Sequence, residues 1–228
     1  LVLGPLQIQP SELVKPFVVL QAANLFAHWT RMGLDQKILW LGRFGALALL
    51  ILEQPSLSTA ALMGLTLWMV AMAAGLRWRS LIGTALAGGA LGITSILINE
   101  YQRIRVVSFL DPWNDPMGDG YQLVQSLLAI GSGGWMGQGY GLSTQKLQYL
   151  PIQSTDFIYA VFAEEFGFIG SLILLLFLML VAWLGLRVAL RCRSNQSRLV
   201  AIGCGTILVG QSILNIAVAS GAMPTTGL

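Results

Sequence analysis

Charge is scarce in this chain. Only 10% of its 228 residues are Asp, Glu, Lys or Arg, against about 25% in an ordinary soluble domain. The hydrophobic share is 55% and the mean hydropathy is +0.72. So little polar surface excludes a soluble globular fold and indicates an integral membrane protein. Cysteine is nearly absent. Cys192 sits in a basic connection and Cys204 in an apolar stretch, so no disulfide is expected. The glycine-rich run 131–141 has neither the lysine-serine/threonine pair of a phosphate loop nor the preceding strand of a dinucleotide fingerprint. No internal repeat or low-complexity segment is visible, and the net charge of +3 is too small to suggest nucleic acid as a partner. The chain opens on Leu1 rather than Met, shows no signal peptide, and closes on PTTGL without a charged tail. The expectation is an internal piece of a longer protein.

What is present is a series of long apolar runs. A transmembrane helix needs about 20 such residues, and six candidates run approximately over 13–29, 38–53, 57–76, 80–99, 157–186 and 199–220. The fold expected is an all-α polytopic membrane protein, one membrane domain over 1–228. Basic residues set the orientation. Arg31 and Lys37 lie between the first two spans, Arg77 and Arg79 between the third and fourth, and Arg187, Arg191, Arg193 and Arg198 between the last two. With Arg43 they put nine of the thirteen Lys and Arg on one side, which reads as cytoplasmic. Both ends and a large loop, 101–156, are then extracytoplasmic.

That loop concentrates the chemistry. Arg103 and Arg105 stand at a membrane edge, where guanidinium groups can hold a lipid pyrophosphate bidentately or merely snorkel or pair with Glu100. FLDPWNDPMGDGYQ (109–122) reads as successive turns. Its aspartates at 111, 115 and 119 lack the glycine and closing glutamate of an EF-hand loop. Apolar positions 123, 124, 127, 128 and 130 predict a short amphipathic helix over 121–131. The glycines of 131–141 would let the backbone approach a ligand or a neighbouring helix closely, or form a simple turn. Lys146 is a second-half cation suited to phosphate or to solvent. Asp156, in QSTDFIYA, is either a helix cap or an acid partly desolvated at a span mouth, as a general base requires. Glu164 and Glu165 are acids inside a span, a functional signal by default. Lys15 and Glu53 are charges at membrane depth that could pair.

Read in order, QPSELVKP (9–16), EQPSLSTA (53–60), RVVSFLDPW (105–113), GYQLVQSLLAIGSGGWMGQGYG (120–141), QKLQYLP (145–151), TDFIYAVFAEEFGFIG (155–170) and MPTTGL (223–228) resemble the shape, elongation, division and sporulation (SEDS) family of bacterial cell-wall synthesis, the FtsW/RodA proteins. QKLQYLP is closer to FtsW than to RodA. The resemblance implies ten spans in the complete protein, of which this piece would hold the fourth to ninth, in the bacterial inner (plasma) membrane. It implies a peptidoglycan glycosyltransferase that polymerises lipid II, the undecaprenyl-pyrophosphate-linked disaccharide-pentapeptide, during cell division. The family's essential loop acid matches Asp156. Arg105, Arg103 and Lys146 become the expected pyrophosphate ligands, helped by a divalent cation, Mg or Mn, if one is used. Glu164, Glu165, Lys15 and Glu53 become supporting charges. A class B penicillin-binding transpeptidase and other division proteins are the implied partners. Ile152 and Ser154 stand where the family usually has Glu and His, and Ser56 and Ser58 replace Asp and Gly. A lipid II flippase and a non-catalytic division scaffold fit the same span pattern.

Overall fold

In a computed structural model the chain is described for residues 2–3, 6–7, 10–52, 57–143 and 157–224. The described residues form eight helices: α1 (Pro10–Ala27), α2 (Leu34–Leu52), α3 (Leu57–Ala73), α4 (Trp78–Ile98), α5 (Glu100–Leu110), α6 (Tyr121–Gly133), α7 (Ile158–Arg191) and α8 (Asn195–Ala219). Among the described residues the one departure from all-α structure is a short antiparallel ladder, β1 (Val2–Leu3) with β2 (Leu6–Gln7), pairing Val2 with Gln7 and Leu3 with Leu6. Two residue pairs are too few to be stable alone.

A helix lies over each of the six apolar runs. Three of them, α4, α7 and α8, are long and apolar enough by themselves to cross a membrane among the described residues. The interval 101–156 departs from a continuous loop, because α5 follows α4 after a single residue. Asn99 accepts the Tyr101 amide at 3.1 Å, the side-chain cap that restarts a helix. The stretch with short amphipathic spacing is α6, which ends at Gly134 with φ +53. α7 is about 51 Å long at 1.5 Å per residue, more than the ~30 Å a hydrocarbon core needs. It is interrupted at Gly167 (φ 64, ψ −162). The part beyond Gly167, about 36 Å, suffices to span.

Contacts divide the chain into two compact units. Unit 1 holds Leu1–Thr94 and Val181–Gly210. In it α1 packs on α3, and α2 on α3. The core gathers Ala22, Ala23, Leu25, Phe26, Val70, Ala71, Leu81 and Leu199. Helices in lipid associate through small residues and close packing, and Ala22, Ala23 and Val70 are completely buried. α8 joins at Gly203, where a Cβ would come within 2.6 Å of Val19 and 3.2 Å of Val70. Pro16 lies inside α1 and removes one helical amide. In the same turn the buried Lys15 donates to Glu12 at 2.6 Å.

Unit 2 holds Ser95–Leu180 and Gln211–Leu228. Ala129 of α6, Phe157 and Ala160 at the start of α7, and Val218 and Ala219 at the end of α8 form its core. The fully buried Ser126 donates its hydroxyl to the Ala219 carbonyl at 2.7 Å. That bond satisfies one of the carbonyls a helix end leaves open.

Candidate functional site

In unit 2 the chemistry-bearing residues fall into two neighbourhoods joined by α6. The first surrounds Arg105 on α5. Its Nη1 donates to Gln122 Oε1 at 3.2 Å and its Nη2 to the Tyr101 hydroxyl at 2.8 Å. The guanidinium also lies 5.0 Å from the Tyr101 ring centre, a cation–π contact. Arg105 is thereby oriented and half-buried, a pre-set fork for an anion.

Arg103 is two positions away, which on a helix is about 200° round the axis. It is exposed and sits 3.6 Å from Glu100. It lines a cavity of about 260 Å³ with Asp111, Asn114, Asp115 and Asp119. Asp115 accepts the amides of Gly118 at 3.0 Å and Asp119 at 3.3 Å, which makes it a turn residue. Three carboxylates against one guanidinium make this cavity a poor place for a pyrophosphate. Arg103 and Arg105 are therefore not two halves of one clamp on α5. Among the described residues no three His, Cys, Asp or Glu side chains gather as a metal site. Lys146, Asp156 and Glu53 lie outside the described residues.

The second neighbourhood is a backbone splice between the glycine-rich segment and α7. The left-handed Gly167 breaks the ladder in which the amides of residues 168 and 169 would bond the carbonyls of 164 and 165. The segment supplies substitutes for all four groups. The Gln138 amide donates to the Glu164 carbonyl at 2.9 Å and the Gly139 amide to the Glu165 carbonyl at 3.1 Å. The Phe168 amide donates to the Gly134 carbonyl at 2.9 Å and the Ile169 amide to the Trp135 carbonyl at 3.2 Å. Buried backbone groups need partners, so break and segment require each other. Besides Gly167, two glycines are needed at the contact. A Cβ on Gly133 would collide with the Ala163 carbonyl, and one on Gly137 (φ +81) with the Glu165 carbonyl. Trp135 packs edge-on to Phe168 at 5.3 Å, and Phe162 stacks on Phe166 at 4.7 Å.

Glu164 and Glu165 are buried at this splice, at 1% and 6% exposure. The buried Ser143 donates its hydroxyl to Glu164 Oε2 at 2.5 Å. The chain is thus pinned at Ser143, where it enters 144–156, and again at Phe157, buried on Ala129. α6 links the two neighbourhoods. Gln122 at its start holds Arg105, Gly133 at its end abuts Ala163, and about 17 Å of helix separates them. Ser143, Gln122, Gln138 and Gly167 were missed at the level of sequence. Only Gly167 had a visible signal, a glycine inside an apolar run too long for one span. Lys15 belongs to unit 1, and among the described residues it pairs with Glu12.

Long apolar helices, an interrupted α7 and the charged and glycine-rich residues 100–143 held against its start define a helical membrane protein with a built polar site. The model of the FtsW/RodA/SpoVE cell cycle proteins matches residues 1–228, and the chain belongs to that family. It is 60% identical over 226 residues to a probable peptidoglycan glycosyltransferase FtsW of Synechocystis sp., covering 99% of this chain and 58% of that protein. It is 51% identical to a putative peptidoglycan glycosyltransferase FtsW of Cyanophora paradoxa, covering 97% of this chain and 56% of that one. Among solved structures it superposes on a chain of a peptidoglycan synthase complex that coordinates polymerization and crosslinking, with TM-score 0.73, 32% identity, and coverage of 100% of this chain and 64% of that one. A mutant of the rod shape-determining protein RodA of Thermus thermophilus superposes with TM-score 0.64 at 28% identity, covering 100% of this chain and 59% of that chain. The chain thus spans little more than half the length of these curated relatives.

Proposed function

We propose that this chain is the core of a membrane glycosyltransferase that polymerises lipid II into glycan strands during bacterial division. The observation that carries the reading is the family match over the whole chain, with relatives at 60% and 51% identity both named as peptidoglycan glycosyltransferases. In this reading all six apolar helices span the inner membrane, and the interval between α4 and α7 faces outward, where lipid-linked sugar is available. The acceptor sugar's 4-hydroxyl attacks the donor's anomeric carbon. Asp156 takes the hydroxyl proton, the carbon–oxygen bond to the pyrophosphate breaks, and the lipid pyrophosphate leaves with the bonding electrons. An α-linked donor giving a β-1,4 product requires inversion, so one displacement and one base suffice.

The departing pyrophosphate needs cationic stabilisation. Arg105 fits this role best, being oriented by Gln122 and Tyr101, with Lys146 assisting. Arg103, beside three aspartates, is better suited to the rim. Glu164 and the splice hold the chain on either side of the segment that carries the base. A class B penicillin-binding transpeptidase is the partner this reading assigns, in line with the synthase complex among the structural relatives. The test uses the full-length protein in liposomes with labelled lipid II. Asp156→Ala should give no polymer while lipid II still binds. Polymer of normal length from that variant refutes the base assignment. Transbilayer movement of lipid II without polymer, in the unaltered protein, refutes the enzyme reading itself.

A further inference from the structure

Nine of the thirteen basic residues fall in unit 1 outside its buried Lys15. Tertiary packing brings the connections that carry most of them together. Trp29 and Met32 from the α1–α2 connection, Ala74 and Leu76 from the α3–α4 turn, Leu81 of α4 and Leu199 and Val200 of α8 all belong to one core cluster. Arg31, Arg77, Arg79 and Arg198 are sequence neighbours of those residues, so they rim the same edge.

Four further observations mark that edge as anion-seeking. Residues 28–37, 74–79 and 187–198 hold eight Lys and Arg and a single acid, Asp35. None of the eight makes an ion pair among the described residues. Arg198 Nε is buried without a hydrogen-bond partner, a costly state for a guanidinium donor. Finally, α4 and α8 both begin here with no acid in the first turn, leaving their positive poles uncompensated. Tryptophans accompany the cations: Lys37 lies 5.2 Å over Trp29 and Arg187 4.0 Å over Trp183. Indole beside a cation is the pairing that suits the headgroup level of a bilayer.

We propose that this edge of unit 1 binds the phosphate-bearing headgroup of an anionic phospholipid through Arg77, Arg79 and Arg198. Orientation by basic residues requires only that they stay on one side. It does not require the connections that carry them to pack on one core cluster. A phosphodiester supplies the anion that these cations lack among the described residues, and the adjacent diacyl chains match the apolar helix surfaces that flank the edge.

The experiment is native mass spectrometry of the full-length protein released from nanodiscs of mixed phosphatidylglycerol and phosphatidylcholine. Phosphatidylglycerol should be retained selectively. Retention should fall about fivefold for each of R77Q, R79Q and R198Q, the factor that ~1 kcal/mol per basic residue gives. R103Q, on α5, should change nothing. Arg198→Lys keeps the charge and should still lose retention, because the planar fork is gone. Equal retention of both lipids, an equal loss in R103Q, or displacement by millimolar inorganic phosphate overturns the proposal, the last making this a free-anion site. If a variant does not fold, a photoactivatable phosphatidylglycerol on the unaltered protein decides. Labelling of peptides containing residues 77–79 and 194–198 supports the site, and labelling spread evenly over the basic connections refutes it.

Discussion

Replacing Gly137 with alanine tests the splice that joins the glycine-rich segment to α7. Gly137 has φ +81, and a Cβ there would collide with the Glu165 carbonyl. An alanine held in the left-handed region costs about 1–2 kcal/mol. To relieve the overlap the segment must withdraw, which breaks the bonds from Gln138 to Glu164 and from Gly139 to Glu165, worth about 1 kcal/mol each. The sum is about 3–4 kcal/mol, or roughly 4–5 °C in the unfolding temperature of a full-length protein near the size of its relatives. Two other glycines calibrate the effect. Gly141 has φ +78 with no atom within 4 Å, so Gly141→Ala should cost only the backbone strain. Gly131 is helical and unobstructed, so Gly131→Ala should be neutral or gain up to about 1 kcal/mol. Hydrogen–deuterium exchange gives the local readout. The amides of Phe168 and Ile169 should be protected in the parent protein and exchange faster in Gly137→Ala alone. If Gly137→Ala and Gly141→Ala match in both stability and exchange, the segment is not holding α7 and the reasoning fails.

Ser143→Ala removes the hydroxyl that Glu164 Oε2 accepts and should lower stability by about 1–3 kcal/mol, with Ser143→Thr recovering most of it, measured by thermal unfolding in detergent. Ser126→Ala strands the Ala219 carbonyl in a buried site and should cost a similar ~1–3 kcal/mol, seen as faster exchange at the end of α8 but not in α4. Asp156→Ala should abolish lipid II polymerisation while leaving the protein folded, with a single cooperative transition near that of the parent in thermal unfolding.

Much of the architecture could be read from apolar length alone. Lipid offers the backbone no hydrogen-bond partner, so a run near twenty apolar residues must be helical, and helices lie over all six such runs. The 3.6-residue spacing in 121–131 was similarly legible, because a short helix with one buried face leaves that pattern, and α6 buries Leu123, Val124, Ser126 and Ala129. α5 was not legible. EYQRIRVVSFL has weak amphipathic spacing and is charged, and its start depends on one Asn99 side chain. The glycines of 131–141 allowed close approach or a plain turn, and nothing local could choose between them. Their use depends on Gly167, some thirty residues away in sequence.

By itself the sequence determined that this protein is helical and membrane-bound, where its basic residues concentrate, and which family it resembles. Each of these follows from composition, period or ordered motif, properties carried along the chain without reference to a partner. Tertiary structure decided that Arg105 is paired with Gln122 and Tyr101 while Arg103 faces aspartates. It also decided that Lys15 meets Glu12, and that four backbone groups freed at Gly167 are taken up by the glycine-rich segment. Those are choices among equivalent donors and acceptors, and only the positions of the helices in space distinguish them.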